Sequence, residues 1–221
     1  MAGCHADITY RFEVHPDRQV GVIVREVVDD QLYQLAARRN ESGDPLGANA
    51  AEAQGWTVTR SVDELNDHVL TLARTVPLST LTGDIESALP RSTGGTSISF
   101  APFDIQETDG LFSDTESLTV NVPAPMATPD GSSPWSGLSN ELATSMIGLH
   151  FELKSPGTVL ASNGETTPDG FTRWNINLQE PTQIRYTTQF PDITHIIAVI
   201  LFLLAAIIIT IYLVRQRPLR Q

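Results

Sequence analysis

The chain has 221 residues, 41% of them apolar, which is enough for a packed core, and its formal net charge at pH 7 is −12. All 26 acidic residues lie before Ile193 together with 11 of the 14 basic residues, so that part carries −15 and the rest carries +3. Such a negative field argues against nucleic acid as a partner, and a single cysteine excludes an internal disulfide or a cysteine-rich zinc site.

The amino terminus carries a short motif that directs lipidation in bacteria. Ala2-Gly3-Cys4 places two small residues before a cysteine, as a bacterial lipobox does, although Met1 stands where the lipobox usually has leucine. The charged and apolar parts of a signal peptide do not precede the motif, so either the start has been trimmed or the match is accidental. We predict residues 1–6 as an N-terminal anchor region with Cys4 as its lipidation site, which requires an export signal ahead of Met1.

An acidic α+β unit is predicted over residues 7–122. Apolar and polar residues alternate over 7–15, and Pro16-Asp17-Arg18 separates this segment from a second, valine-rich run, a pattern typical of a β-hairpin over 7–28. The other elements predicted in this unit are a helix from Asp29-Asp30 to near Asn40, a loop over 41–55, strands over 56–60 and 68–76, a helix over 78–89, a turn over 91–95, and strands over 96–105 and 118–122. Strands and helices are interleaved without a βαβ rhythm, which predicts an α+β fold with a mainly antiparallel sheet and a few short helices.

A proline-rich segment over residues 123–137 separates this unit from a second block. It contains four prolines, which favours a spacer and leaves a mobile lid as the alternative. Residues 138–190 are predicted as a β-rich closing block with a short helix over 138–149 and strands over 150–154, 158–162, 171–178 and 182–190. The alternation in this block places Thr172, Trp174, Ile176 and Leu178 on one face of a strand.

A C-terminal transmembrane helix is predicted over residues 193–214, which are 22 residues without a formal charge. At ~1.5 Å per residue such a helix is ~33 Å long, which matches a ~30 Å hydrocarbon core. Arg215, Arg217 and Arg220 follow it, and basic residues beside a membrane helix stay in the cytoplasm. We therefore predict a cytoplasmic tail over residues 215–221 and an extracytoplasmic position for residues 1–192.

The sequence contains no motif that would carry catalysis. HExxH, GxSxG, the Walker loop, GxGxxG and SxxK are all absent, and the carboxylates are scattered. We therefore predict a protein that is not an enzyme and that binds no cofactor or metal.

Both ends of the chain resemble the LppM-type envelope lipoproteins of actinobacteria and related bacteria. The likeness rests on Cys4 followed by ADITYRFEVHPDRQVGVIV, and on LKSPGTVLASNGETTPDGFTRWNINLQEPTQIRYTTQF near the end, whereas residues 40–137 match poorly. The resemblance implies a domain exposed in the bacterial cell envelope that binds lipid or glycolipid in an apolar cavity. It marks Pro156-Gly157, Asn163-Gly164 and Trp174 as a candidate ligand or structural motif, while the residues themselves are typical of turns and of a core tryptophan.

Two functional hypotheses follow. A lipid- or glycolipid-binding envelope module needs a cavity of ~300–1,000 Å³. An accessory or interaction subunit of a membrane protein complex needs an exposed contact surface instead. The volume enclosed by the core therefore separates the two hypotheses.

Overall fold

The computed structural model describes residues 5–39, 44, 46–90, 100–110, 113–124, 146–191, 197 and 201–205. In chain order its elements are β1 (Ala6–Val14), β2 (Gln19–Val28), α1 (Asp30–Arg39), α2 (Ala48–Ala53), β3 (Thr57–Val62), β4 (His68–Pro77), α3 (Leu78–Gly83), α4 (Ile85–Ala88), β5 (Asp104–Thr108), β6 (Ser113–Val122), β7 (Ile147–Lys154), β8 (Thr158–Ser162), β9 (Glu165–Thr166), β10 (Thr172–Asn175) and β11 (Thr182–Pro191). The predicted α+β class with a few short helices is confirmed.

The strands form two sheets that share contributions from both halves of the chain. One sheet has seven strands in the order β3-β4-β2-β1-β7-β10-β9, and the other has four in the order β5-β6-β11-β8. β1 pairs in parallel with β7, from Ala6 opposite Ile147 to Glu13 opposite Lys154, and the other described pairs are antiparallel. The stretches 7–122 and 138–190 therefore both contribute strands to each sheet.

Aromatic rings fill the space between the two sheets. Phe12 on β1 stacks on Phe151 of β7 with ring centroids 4.9 Å apart. Trp174 on β10 meets Phe151 edge-on at 5.8 Å and Tyr186 of β11 at 6.1 Å, so one row of rings crosses from the first sheet to the second. Leu81 and other buried residues of the short helices pack against the same core.

Several local predictions, for both strands and helices, agree with the structure. The hairpin predicted over 7–28 is β1 and β2, and Asp29 caps α1 by accepting a hydrogen bond from the Leu32 backbone N–H at 2.8 Å. The helix predicted over 78–89 is interrupted at Asp84, whose side chain accepts from the Ser87 backbone N–H and starts α4.

Other local predictions are wrong or untested. The predicted loop 41–55 contains α2, whose alanines at positions 48 and 51 are buried. The strand predicted over 96–105 begins only at Asp104, after Pro102, and residues 91–99 lie outside the described residues. β7 begins at Ile147, where a helix over 138–149 was predicted, while residues 138–145 and most of the proline-rich segment also lie outside them.

The predicted membrane helix is only partly described. Ile197 and residues 201–205 are helical with exposed side chains, and the rest of 193–214 is not described. Among the described residues, no helix is both long enough and apolar enough to cross a membrane.

Candidate functional site

Asn163, in the turn after β8, joins the two sheets through its side-chain amide. Its Nδ2 donates to the Gln183 carbonyl oxygen at 2.8 Å, and its Oδ1 accepts from Trp174 Nε1 at 2.7 Å and from the Arg185 backbone N–H at 2.8 Å. Gln183 and Arg185 belong to the four-stranded sheet, and Trp174 belongs to the seven-stranded sheet. The amide therefore satisfies the indole N–H of a buried tryptophan while it holds β11 in place.

Gly164 leaves the space that Trp174 occupies. A Cβ at this position would lie 2.5 Å from Trp174 Cε2 and 2.8 Å from the Arg173 carbonyl oxygen, much closer than van der Waals contact. The structure thus brings Asn163, Gly164 and Trp174 together, and their contacts are those of a joint between strands.

Pro156 and Gly157 lie elsewhere, in the turn that connects β7 with β8. Gly157 has a φ of 100°, and a Cβ there would lie 2.4 Å from the Gln189 carbonyl oxygen on β11. Both the left-handed backbone and the close approach require glycine. The two predicted turn motifs therefore lie at opposite ends of β8, and the predicted lipidation site Cys4 lies outside the described residues.

A small cavity lies between the two sheets of the described part of the chain. It has a volume of about 10 Å³, which is room for about one water molecule, and lies where β1 and β7 end. Burial, together with the charge of Glu107, raises the pKa of Glu116 at this cavity, and Arg18 partly opposes the shift. The lining residues are Val14, Leu78, Ile105, Glu116, Leu118, Leu153, Ser155, Tyr186 and Thr188.

A network of charged side chains, which the sequence analysis did not predict, covers the seven-stranded sheet on the face away from the core. Glu152 is fully buried and accepts from Arg11 Nε and from Arg173 Nε, each at 2.6 Å. Arg11 also pairs with Asp169 at 3.0 Å and lies 4.2 Å above the Phe171 ring. The network ties β1, β7 and β10 together and keeps two guanidinium groups in fixed, partly exposed positions.

A histidine extends this polar face toward the start of β1. His150 Nε2 lies 3.0 Å from Asp7 Oδ2, and its Nδ1 lies 2.7 Å from Asn175 Oδ1. The hydrogen bond to Asp7 raises the pKa of His150, and the Asp7 charge and Asn175 add to it against the effects of burial and Arg173. Burial opposes ionisation of Asp7, but the hydrogen bond and charge of His150 outweigh it and lower the pKa of Asp7.

One carboxyl group lies on the core-facing side of the same sheet. Glu26 stands opposite Ile8 and Leu70 in the strand ladders, and burial among such neighbours raises its pKa to about 7. Among the described residues, no group of three or more His, Cys, Asp and Glu side chains could hold a metal ion.

The described residues thus form a two-sheet α+β domain with an aromatic core and a polar outer face. The NMR structure of the folded domain of LppM from Mycobacterium tuberculosis is similar to it, with a TM-score of 0.46 and 9% sequence identity over 88% of this chain and 96% of that domain. No protein-family model matches the chain, and no curated protein matches it.

Proposed function

We propose that this chain is a membrane-anchored extracytoplasmic module of the bacterial cell membrane that acts through surface contact, as a non-catalytic accessory or interaction subunit. The observation that carries the proposal is the small volume of the cavity between the two sheets of the described residues. A lipid-binding cavity measures ~300–1,000 Å³, whereas the cavity between the described strands measures about 10 Å³. Contact through the surface is therefore a better-supported function for this domain than lipid binding in its interior.

The arginine-rich outer face is the surface best suited to such contact. Three basic side chains on this face are each 32–43% exposed and paired with a carboxylate, namely Arg11, Lys154 and Arg173. A side chain that is already held in one position loses less conformational entropy when a partner binds it. Arginine is also enriched at protein interfaces.

The anchoring part of the proposal rests on the sequence after β11. The strand ends at Pro191, and the predicted membrane helix begins at Ile193. The basic tail after that helix favours an extracytoplasmic position for the folded domain.

The test is native mass spectrometry of the full chain, extracted gently from its own membranes. We expect a protein partner to remain bound to wild type and to Arg60→Ala, and to be lost from Arg173→Ala. Arg60 is the matched control because its side chain is also about half exposed and ion-paired, but on β3 and away from the network.

Two outcomes would contradict the proposal. A lipid that co-purifies and leaves only when the outer domain unfolds would restore the lipid- or glycolipid-binding hypothesis. A partner that is retained equally by both variants would exclude the outer face as the contact surface.

A further inference from the structure

Among the described strands, β8 is an edge strand that contains neither of two common edge protections, charged residues and proline. It pairs with β11 on one side, all five of its residues are exposed, and its sequence TVLAS contains neither a charge nor a proline. Val159 is 41% exposed and Leu160 is 53% exposed. Natural edge strands are normally protected by charged residues or proline, because a bare edge recruits other chains.

A bulge makes β8 a poor template for another strand. Thr187 pairs with Ala161 and Thr188 pairs with Val159, so Leu160 is the extra residue at the register shift. A bulge interrupts the hydrogen-bonding ladder and bends the strand, which hinders strand addition. The exposed edge therefore presents two consecutive apolar side chains, Val159 and Leu160, rather than a regular row of backbone hydrogen-bonding groups.

The position of β8 in the chain brings it close to the predicted membrane helix. Thr158 pairs with Gln189, which is four residues before Ile193. At ~3.3 Å per residue, Gln189 is at most ~13 Å from the start of the apolar segment, and Thr158 on the neighbouring strand, ~5 Å further, is at most ~18 Å from it. The polar interface of a bilayer is itself ~5–7 Å thick on each side.

We propose that Val159 and Leu160 rest in the interface of the bilayer that holds the C-terminal segment, so that the domain lies on its β8 edge. The inference rests on the membrane anchoring proposed above. The part of the chain before Ile193 carries −15, so electrostatic attraction to anionic lipid cannot bind the domain to the bilayer. An uncharged apolar edge can bind it by inserting its side chains into the bilayer interface.

A second copy of the chain fits this edge less well than a bilayer does. β8 runs antiparallel to β11. Antiparallel pairing of two β8 strands would therefore point the two β11 strands in opposite directions. Their C-terminal segments would then leave opposite ends of the dimer, although both must enter the same membrane.

The test is site-directed spin labelling of the full chain in phosphatidylcholine nanodiscs, with Cys4→Ser removing the chain's single cysteine. Labels at Leu160→Cys and at Leu65→Cys are compared by their accessibility to oxygen, which partitions into lipid, and to a water-soluble nickel chelate. Leu65 is the matched control because it is an apolar residue, 79% exposed, in the turn before β4. That turn lies at the end of the seven-stranded sheet where β1 begins, away from the start of β8.

We expect the label at position 160 to favour oxygen over nickel and the label at 65 to show the reverse. A label at 160 as accessible to nickel as the one at 65 would overturn the proposal. A label at 160 shielded from both reagents would also overturn it, since that result indicates contact with protein. A third label, at Leu204→Cys, separates the two proposals. Lipid exposure at 204 with water exposure at 160 refutes only the β8 contact, whereas water exposure at 204 refutes the membrane anchoring itself.

Discussion

Replacing Gly164 with alanine should destabilise the domain through a steric clash alone. The new Cβ would lie 2.5 Å from Trp174 Cε2 and 2.8 Å from both the Arg173 carbonyl oxygen and Thr172 Cγ2. Trp174 cannot easily retreat, because it is wedged between Phe151 and Tyr186. Overpacking of this kind costs ~1–3 kcal/mol, and it must outweigh the ~0.4–1 kcal/mol that alanine gains by restricting the unfolded chain.

The measurement is the free energy of unfolding of the full chain in detergent, from a urea titration followed by near-ultraviolet circular dichroism. Gly83→Ala is the control, since a Cβ there meets nothing within 4 Å and the residue is exposed at the end of α3. We expect Gly83→Ala to be stabilised by ~0.4–1 kcal/mol and Gly164→Ala to lose ~1–3 kcal/mol. Equal stability of the two variants would show that the Asn163-Gly164 turn does not lie against Trp174, and the reasoning would fail.

Two further predictions concern the outer face. Glu152→Gln should lower the free energy of unfolding by ~1.5–3 kcal/mol, because the guanidinium groups of Arg11 and Arg173 lose their shared buried carboxylate. Glu107→Gln, which removes an exposed ion pair with Arg18, should lower it by only ~0–1 kcal/mol. Comparable losses in the two urea titrations would argue against a structural role for the network. The hydrogen bond to Asp7 raises the pKa of His150 above its ordinary value of 6.5. The protonated His150 should therefore stabilise the fold fully below pH 6.5, and this stabilisation should decline as the pH rises through the raised pKa. The stability of His150→Asn should not decline over this pH range, whereas the stability of the control His15→Asn should decline as it does in wild type. A wild-type stability that is constant across this range would contradict the stabilising role of the His150–Asp7 hydrogen bond.

The local structure of the strands could be predicted because burial imposes a period of two. In β1, Tyr10 and Phe12 face the core while Thr9 and Arg11 face outward, so the alternation in the sequence reads directly as a strand. α2 was missed because its six residues, ANAAEA, are too few and too weakly apolar to show a helical period.

The polar network could not be predicted, since it depends on a pairing between distant segments. β1 and β7 lie more than 130 residues apart, and neither strand contains a signal that sets their parallel register. Arg11 meets Glu152 only because that register places them side by side, and Arg173 joins them through β10. The alternation does place all three at outward positions, which is the one signal that the sequence offers.

The two ends of the chain that are predicted to meet the membrane lie at opposite ends of the strands. Val14, at the end of β1, shares a cavity with Thr188, close to where β11 leads toward the predicted membrane helix. Ala6, two residues after Cys4, lies at the other end of β1, which is ~26 Å away at ~3.3 Å per residue. If Cys4 is acylated, the domain is therefore held at opposite ends of its strands, and both attachments reach one bilayer only when the strands lie along its surface. The β8 contact also requires the strands to lie along the bilayer surface, so an acyl chain on Cys4 and the β8 contact demand the same tilt of the domain.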